Sequence, residues 1–340
     1  MPHAHIIGTG SSVPKRILTN SDLERIVDTS DKWIARRTGI KERRISSKAE
    51  NESTADLGLQ ASLKALEMAR ISSDSLDMIA VGTVTPDRQF PGVACMIQKG
   101  LKAHRAYAFD VSAGCSGFLY ALSMADNAIR VGSCKTALVV GAERLSSIVN
   151  WSDRSTCVLL ADGAGAVVVK SRKKKGGILS AHMQSDGNLW DLLYSSYGTS
   201  FIPEVLHGLD VKPFHLKMEG NRLFKRAVES MTSIAGSALQ HNSMSPEKVA
   251  LLVPHQANIR IIRAVAKNLN IPMEKVYTNI HKYGNTSSAS IPLALDEANR
   301  KGFVKKGDHI LLVAFGAGLT WGSILVKWSM KGINENSNSG

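Results

Sequence analysis

Cys115, His255 and Asn285 are the residues whose type and setting could carry chemistry. Cys115 lies in FDVSAGCSGFLYALSMADNAIRVG, where a strand closing on Phe109 to Val111 turns through Gly114 and Gly117 into a run, 118–129, that is apolar or small on nearly every face. Glycines there permit a tight turn and close backbone approach. A thiol at such a turn faces the positive end of a helix dipole, which favours the nucleophilic thiolate, and free amides at the same place can hold a developing oxyanion. His255 follows the buried strand of KVALLVPHQAN, at the carboxyl end where open α/β sheets place ligands. Asn285 stands in HKYGNTSSASIPLALDEANR, between a glycine turn and a Ser-capped helix with Pro292 in its first turn. Taken singly, each has an ordinary alternative: a small core cysteine, a surface-loop histidine, and turn-and-cap chemistry.

The elements that must position these residues alternate between short apolar runs and helical patterns, which argues for an α/β architecture with buried, largely parallel strands. Strands are expected at HAHIIGTG, LDMIAVGTV, AYAFDV, TALVVGAE, AGAVVVK, GILSAHMQ, VALLVP, HILLVAFG and GSILVKW. Helices are expected over 54–69, 117–131, 223–239, 259–269 and 291–301. A faint echo joins TALVVGAE and DGAGAVVVKS to HILLVAFGAG and WGSILVKWS. It predicts two similar halves, residues 1–174 and 175–330, jointed near SRKKKGG, with a frayed polar tail at 331–340.

Composition narrows the class. The uncharged run Ile310 to Val326 is too short for a membrane span and is broken by Gly316, Gly318 and Gly322, so two strands joined by a glycine turn are expected there. The opening HAHIIGTG reads as a strand with no basic and apolar targeting segment before it, and a cytosolic location with no membrane is expected. Cys95, Cys115, Cys134 and Cys157 form no CxxC pair and have no histidine at metal spacing; four reduced thiols and no metal are expected. The formal charge of +13 favours anionic partners. Scattered basic residues, with no zinc-finger, RNA-binding or basic-heptad pattern, argue against nucleic acid.

Read jointly, DVSAGCSG, VPHQAN and YGNTSSAS resemble, in that order, the cysteine, histidine and asparagine motifs of β-ketoacyl-acyl-carrier-protein synthase III. The resemblance extends through IIGTGSSVP, DTSDKWIARRTGIKERR, TPDRQFPGVAC, DGAGAVV and AFGAGLTWGS, covering roughly residues 5–328. It implies a thiolase-like fold, two similar α/β halves in a five-layer αβαβα sandwich, acting as a homodimer. It also implies condensation of acetyl-CoA or another short acyl-CoA with malonyl-acyl-carrier protein, releasing CoA and carbon dioxide and initiating type II fatty acid synthesis.

By the same resemblance Cys115 is the nucleophile, with its own amide and that of Ala317 as the oxyanion hole, while His255 and Asn285 hold the malonyl thioester oxygen. Thr29, Trp33, Arg37, Arg154 and Asn258 match CoA-binding positions; Lys225, Gln256, Arg260 and Lys267 match a face for the acidic carrier protein. Phe90 matches a residue that reaches into the partner subunit's acyl pocket, and Leu160 stands where many members carry an aromatic residue, which puts the preferred acyl length in question. No metal or redox cofactor is implied; the coenzyme A thioester is a substrate. Thiolase proper is disfavoured, because no cysteine follows Cys157, and hydroxymethylglutaryl-CoA synthase by the lack of a matching glutamate motif. The alternatives are a secondary-metabolite ketoacyl synthase or acyltransferase on the same fold, or a basic protein that binds without catalysis.

Overall fold

The computed structural model describes residues 2–47, 50–196 and 215–330; the expected tail at 331–340 lies outside them. Two sheets carry the fold. The first is five-stranded, built from β1 (His3–Ser12), β2 (Met78–Gly82), β3 (Tyr107–Val111), β4 (Thr136–Arg144) and β5 (Asp162–Arg172), in spatial order β1-β5-β4-β2-β3. The second is four-stranded, with β6 (Gly177–Ser185), β7 (Leu251–Pro254), β8 (His309–Gly316) and β9 (Thr320–Lys327) in the order β7-β8-β9-β6.

Most strands are buried as expected, but the edge strand β3 is buried at no position, and the sheets are not largely parallel. Pairs β2–β3, β2–β4 and β7–β8 are parallel, while β4–β5, β1–β5, β8–β9 and β6–β9 are antiparallel. The reason lies in the connections: the glycine turn between Gly316 and Thr320 is far too short for the crossover that parallel neighbours require. That turn also accounts for the uncharged run from Ile310 to Val326.

Among the described residues, the α-helices of eight residues or more are α1 (Asp31–Thr38), α2 (Thr54–Ala69), α3 (Val93–Leu101), α4 (Gly117–Arg130), α5 (Gly220–His241), α6 (Ile259–Asn268) and α7 (Ser290–Arg300). Neither α1 nor α3 was expected from periodicity. Strand side chains alternate between faces, so a strand apolar at every position must be covered on both. In β8, Ile310, Leu312 and Ala314 join one core while Leu311, Val313 and Phe315 join another. The cores stack in sequence: α2 and α3 cover the first sheet, α4 and α7 fill the space between the sheets, and α5 and α6 cover the second sheet. This is the five-layer αβαβα sandwich of the thiolase fold.

A smaller apolar cluster, including Leu18, Ile34, Cys157, Val158, Leu160 and Ile280, closes one end of the sandwich around α1. Its buried cation, Arg43, donates to the carbonyls of Leu18 and Val158 and to Asn20 Oδ1 at 3.2, 2.8 and 2.9 Å. Burial lowers its pKa to about 10. Among the described residues, no helix is long and apolar enough to cross a membrane.

Candidate active site

Cys115 sits in a single tight helical turn, Gly114–Ser116, between β3 and α4. Gly114 has φ +55, and a Cβ built on it would stand 2.5 Å from the Ala317 amide nitrogen, so only glycine suits the position. A Cβ on Gly316 would collide with the Cys115 amide, which shows how closely the two loops pack. Hydrogen bonds lace them together: Ser116 Oγ donates to the Thr320 carbonyl at 3.0 Å, and Thr320 Oγ1 to that of Ala113 at 2.7 Å. The backbones of Cys115 and Ala317 therefore face each other, one from each half of the chain.

The thiol does not rest as a thiolate. Burial pushes the Cys115 pKa up to about 12, with Glu143's charge adding to the rise, while hydrogen bonds from Ser287 and from its own amide pull it back. The residue keeps partial exposure only because it borders a cavity. The expectation that the helix dipole holds a thiolate is thus corrected: desolvation of a charged sulfur outweighs a terminal dipole.

His255 follows Pro254 at the end of β7, its amide bonded to the Val313 carbonyl at 2.8 Å. At 3% exposure it is no surface-loop histidine, and burial alone lowers its pKa to about 3, so the ring is neutral. Its Nδ1 lies 2.7 Å from Ser290 Oγ, which also accepts the Gln256 amide at 3.3 Å. With Nδ1 engaged by the Ser290 hydroxyl, Nε2 is the ring nitrogen left without a protein partner. Ser290 was expected as a helix cap. Instead it opens α7 after a helical turn, Ser287–Ala289, and serves the histidine.

Asn285 is clamped by its backbone, which receives from Ala161 and donates to Leu159, both at 2.9 Å. Its Oδ1 accepts the Ser287 amide at 2.8 Å, leaving the side-chain nitrogen as a donor for the cavity. Cys115, His255, Asn285, Ser287 and Ala317 all line one cavity of about 190 Å³, with Leu145, Leu160, Met231 and Phe315 among its apolar walls. Shared walls at Leu159, Met218, Gly220, Phe224 and Asn258 join it to an outer groove of about 340 Å³ that includes Trp33, Arg37 and Arg260.

In that groove the Arg37 guanidinium lies 5.8 Å from the Trp33 ring centre and that of Arg260 5.3 Å from Phe224, while Arg154, which does not line the groove, lies 5.3 Å from the same Trp33 ring. Asn258 caps α6 by accepting the Arg260 amide at 2.9 Å. Thr29 lines neither space, and its hydroxyl is buried without a hydrogen-bond partner. Lys225 and Lys267 are exposed on α5 and α6. Gln256 is not a docking residue: it is 1% exposed, donating to the Pro254 and Tyr277 carbonyls and accepting the Asn279 amide. Phe90 is 83% exposed and does not line this chain's own cavity.

Sequence reasoning missed Glu143, Ser287 and Ser290. The signal for Glu143 was a lone carboxylate ending an otherwise uncharged strand, TALVVGAE. Fully buried, it receives hydroxyls from Thr83, Thr85, Ser287 and Ser288 and the Val84 amide, at 2.6 to 3.2 Å.

A half-buried cysteine on a strand-to-helix turn, with histidine and asparagine side chains converging from the other half of a five-layer sandwich, defines a thiolase-fold condensing enzyme. Family models for 3-oxoacyl-[acyl-carrier-protein] synthase III match residues 109–187, and models for its C-terminal part match 239–328. The β-ketoacyl-[acyl-carrier-protein] synthase III of Aquifex aeolicus is 51% identical over 323 residues, covering 95% of this chain and 99% of that protein. The crystal structure of the Aquifex aeolicus enzyme superposes with a TM-score of 0.89 at 50% identity, covering 96% of this chain and 100% of that one. A priming β-ketosynthase from the R1128 polyketide pathway superposes at 0.91 with 34% identity, covering 96% of each chain. The chain belongs to the β-ketoacyl-acyl-carrier-protein synthase III family, and is an acyltransferase of the condensing type.

Proposed function

We propose that this enzyme transfers a short acyl group from coenzyme A to Cys115 and condenses it with malonyl-acyl-carrier protein, initiating fatty acid synthesis. The observation that carries the reading is the junction of one buried cavity, holding Cys115, His255 and Asn285, with an arginine-bearing groove. The groove suits the anionic nucleotide end of CoA: Arg37 for its phosphates, and Trp33 with Arg154 for the adenine, which would part the two stacked side chains. The thioester arm would then follow Asn258 and Phe224 inward to the thiol.

Attack by sulfur places negative charge on the carbonyl oxygen, which the Cys115 and Ala317 amides would hold. After CoA leaves, the malonyl thioester oxygen would receive hydrogen bonds from His255 Nε2 and the Asn285 amide. Loss of carbon dioxide forms an enolate there; its carbon bonds to the acyl carbonyl carbon, and the C–S bond breaks onto Cys115, which takes up a proton and returns to the thiol. These steps use up the acyl-CoA thioester and the malonyl carboxylate, keep the carrier-protein thioester, and call on no metal or redox cofactor. Lys225, Arg260 and Lys267 would receive the acidic carrier protein. A homodimer in the cytosol completes the reading: β3 is an uncovered sheet edge, and Phe90 projects on the outer surface.

Incubation with acetyl-CoA should add one acetyl group to the intact protein, lost in Cys115→Ser and kept in Cys134→Ser. Addition of malonyl-carrier protein should then release acetoacetyl-carrier protein; acylation without condensation would refute the initiating role. The resemblance to the R1128 priming ketosynthase favours a second reading, priming of a polyketide. Mass measurements across acyl chain lengths separate the two, and Leu160 in the cavity wall makes a primer longer than acetyl the outcome to watch.

A further inference from the structure

Glu143 is fully buried yet does not line the cavity, so the reaction described above never touches it. A carboxylate is costly to bury unless hydrogen bonds replace its water. Here the donors come from two distant parts of the chain. Oε2 receives the Thr85 and Thr83 hydroxyls at 2.6 and 3.2 Å and the Val84 amide at 3.1 Å, all just after β2. Oε1 receives the Ser287 hydroxyl at 3.0 Å, from the turn that carries Asn285. Ser288 Oγ stands at 3.0 Å from the same oxygen and also reaches the Gly82 carbonyl at 2.6 Å. The carboxylate at the end of β4 thus ties the first sheet to a turn of the other half.

Asn285 needs such a tie. Its backbone is fixed by Leu159 and Ala161, but its side chain still rotates about its own bonds. The two ends of the amide are nearly alike in shape and opposite in polarity, so a hydrogen bond must decide which end faces the cavity. That bond is the Ser287 amide on Asn285 Oδ1, at 2.8 Å. Ser287 makes it with φ +49, a left-handed backbone that a serine adopts at a cost and that its surroundings must secure. Its hydroxyl on Glu143 supplies that hold.

We infer that Glu143 is a positioning residue for condensation: through Ser287 it keeps the Asn285 side-chain nitrogen aimed at the malonyl thioester oxygen. This rests on the reading of Asn285 as a donor to that oxygen.

Without the carboxylate, Ser287 loses its side-chain anchor, and the Asn285 amide is free to turn its own oxygen toward the negative charge of the enolate. Loading of Cys115 instead uses the backbone amides of Cys115 and Ala317, on loops laced together by Ser116 and Thr320. The two half-reactions should therefore separate.

The test compares Glu143→Ala and Ser287→Ala with wild type, each alone and combined with Asn285→Ala. Intact mass follows acetyl loading from acetyl-CoA, and product release follows condensation with malonyl-carrier protein. Both variants should load within about 3-fold of wild type and condense slower by about 10-fold or more. Added to Asn285→Ala, neither change should cost more than about 3-fold further, because the side chain that they position is already gone. Losses that multiply in the double variants, or loading that falls as much as condensation, overturn the inference. Crystal structures of wild type and Ser287→Ala give the direct reading. The inference requires the Asn285 side chain to leave the amide of position 287, and an unmoved side chain overturns it whatever the kinetics. Should Glu143→Ala not fold, the serine variant decides alone. If wild type loads but never condenses, the functional proposal fails, and the crystal structures still decide the inference.

Discussion

The cavity and its outer groove use polar residues in opposite ways. At the inner end, Cys115, Glu143 and His255 are enclosed, and burial drives each toward its neutral form. At the groove and its rim, the exposed residues Arg37, Arg260 and Arg154 set their guanidiniums against aromatic faces. Inside, a hydrogen bond in the wrong place is expensive because nothing replaces it; outside, water and salt compete for every charge. The inner end is thus built for chemistry and the groove for recognition, and substitutions at the two should fail differently.

The sharpest break is Cys115→Ser, which should abolish condensation, a loss of at least ~10³-fold in turnover. Next come His255→Ala and Asn285→Ala. Each removes a donor to the malonyl oxygen and should lower condensation by about 10²–10³-fold. Acetyl loading of Cys115 should persist in both, so loading and product formation measured side by side check the division of labour. At the groove and its rim, Arg154→Ala or Trp33→Ala should instead raise KM for acyl-CoA by about 10-fold, with little change in kcat. Added salt should shrink the arginine effect but not the tryptophan effect. An equal fall in kcat would merge the two regions and end the comparison.

Two smaller effects concern stability. Gln256→Ala strands the Asn279 amide and two carbonyls, and should cost about 1–3 kcal/mol in denaturant unfolding while leaving carrier-protein affinity of the folded enzyme unchanged. For His255, the folded pKa of about 3 lies below the ordinary 6.5. Between those values the unfolded chain binds more protons, so stability is full above about pH 6.5. It falls as pH drops toward 3, by at most about 1.4 kcal/mol per pH unit. Melting temperatures from pH 7 to 4 should therefore fall less steeply in His255→Gln than in wild type.

Much of this was legible in the sequence. Uninterrupted apolar runs such as HILLVAFG dictate strands covered on both faces, because alternate side chains point opposite ways and none is polar. Gly114 beside Cys115 announced a tight turn, since few other residues accept its left-handed backbone. Ordered motifs around Cys115, His255 and Asn285 pointed to the family. Strand direction was not legible, because apolar content is the same in parallel and antiparallel pairs. Nor was the burial of Gln256, whose neighbours in sequence look like an exposed helix start.

The ionisation of the site belongs to the tertiary structure alone. A cysteine before a helix reads as a thiolate, yet the pairing of two halves around it excludes water and raises its pKa to about 12. Glu143 and Ser287 are 144 positions apart and gain meaning only when β4 meets the turn before α7. Local sequence fixed which atoms could react; desolvation and long-range hydrogen bonds, which exist only once the sandwich closes, decided their charge.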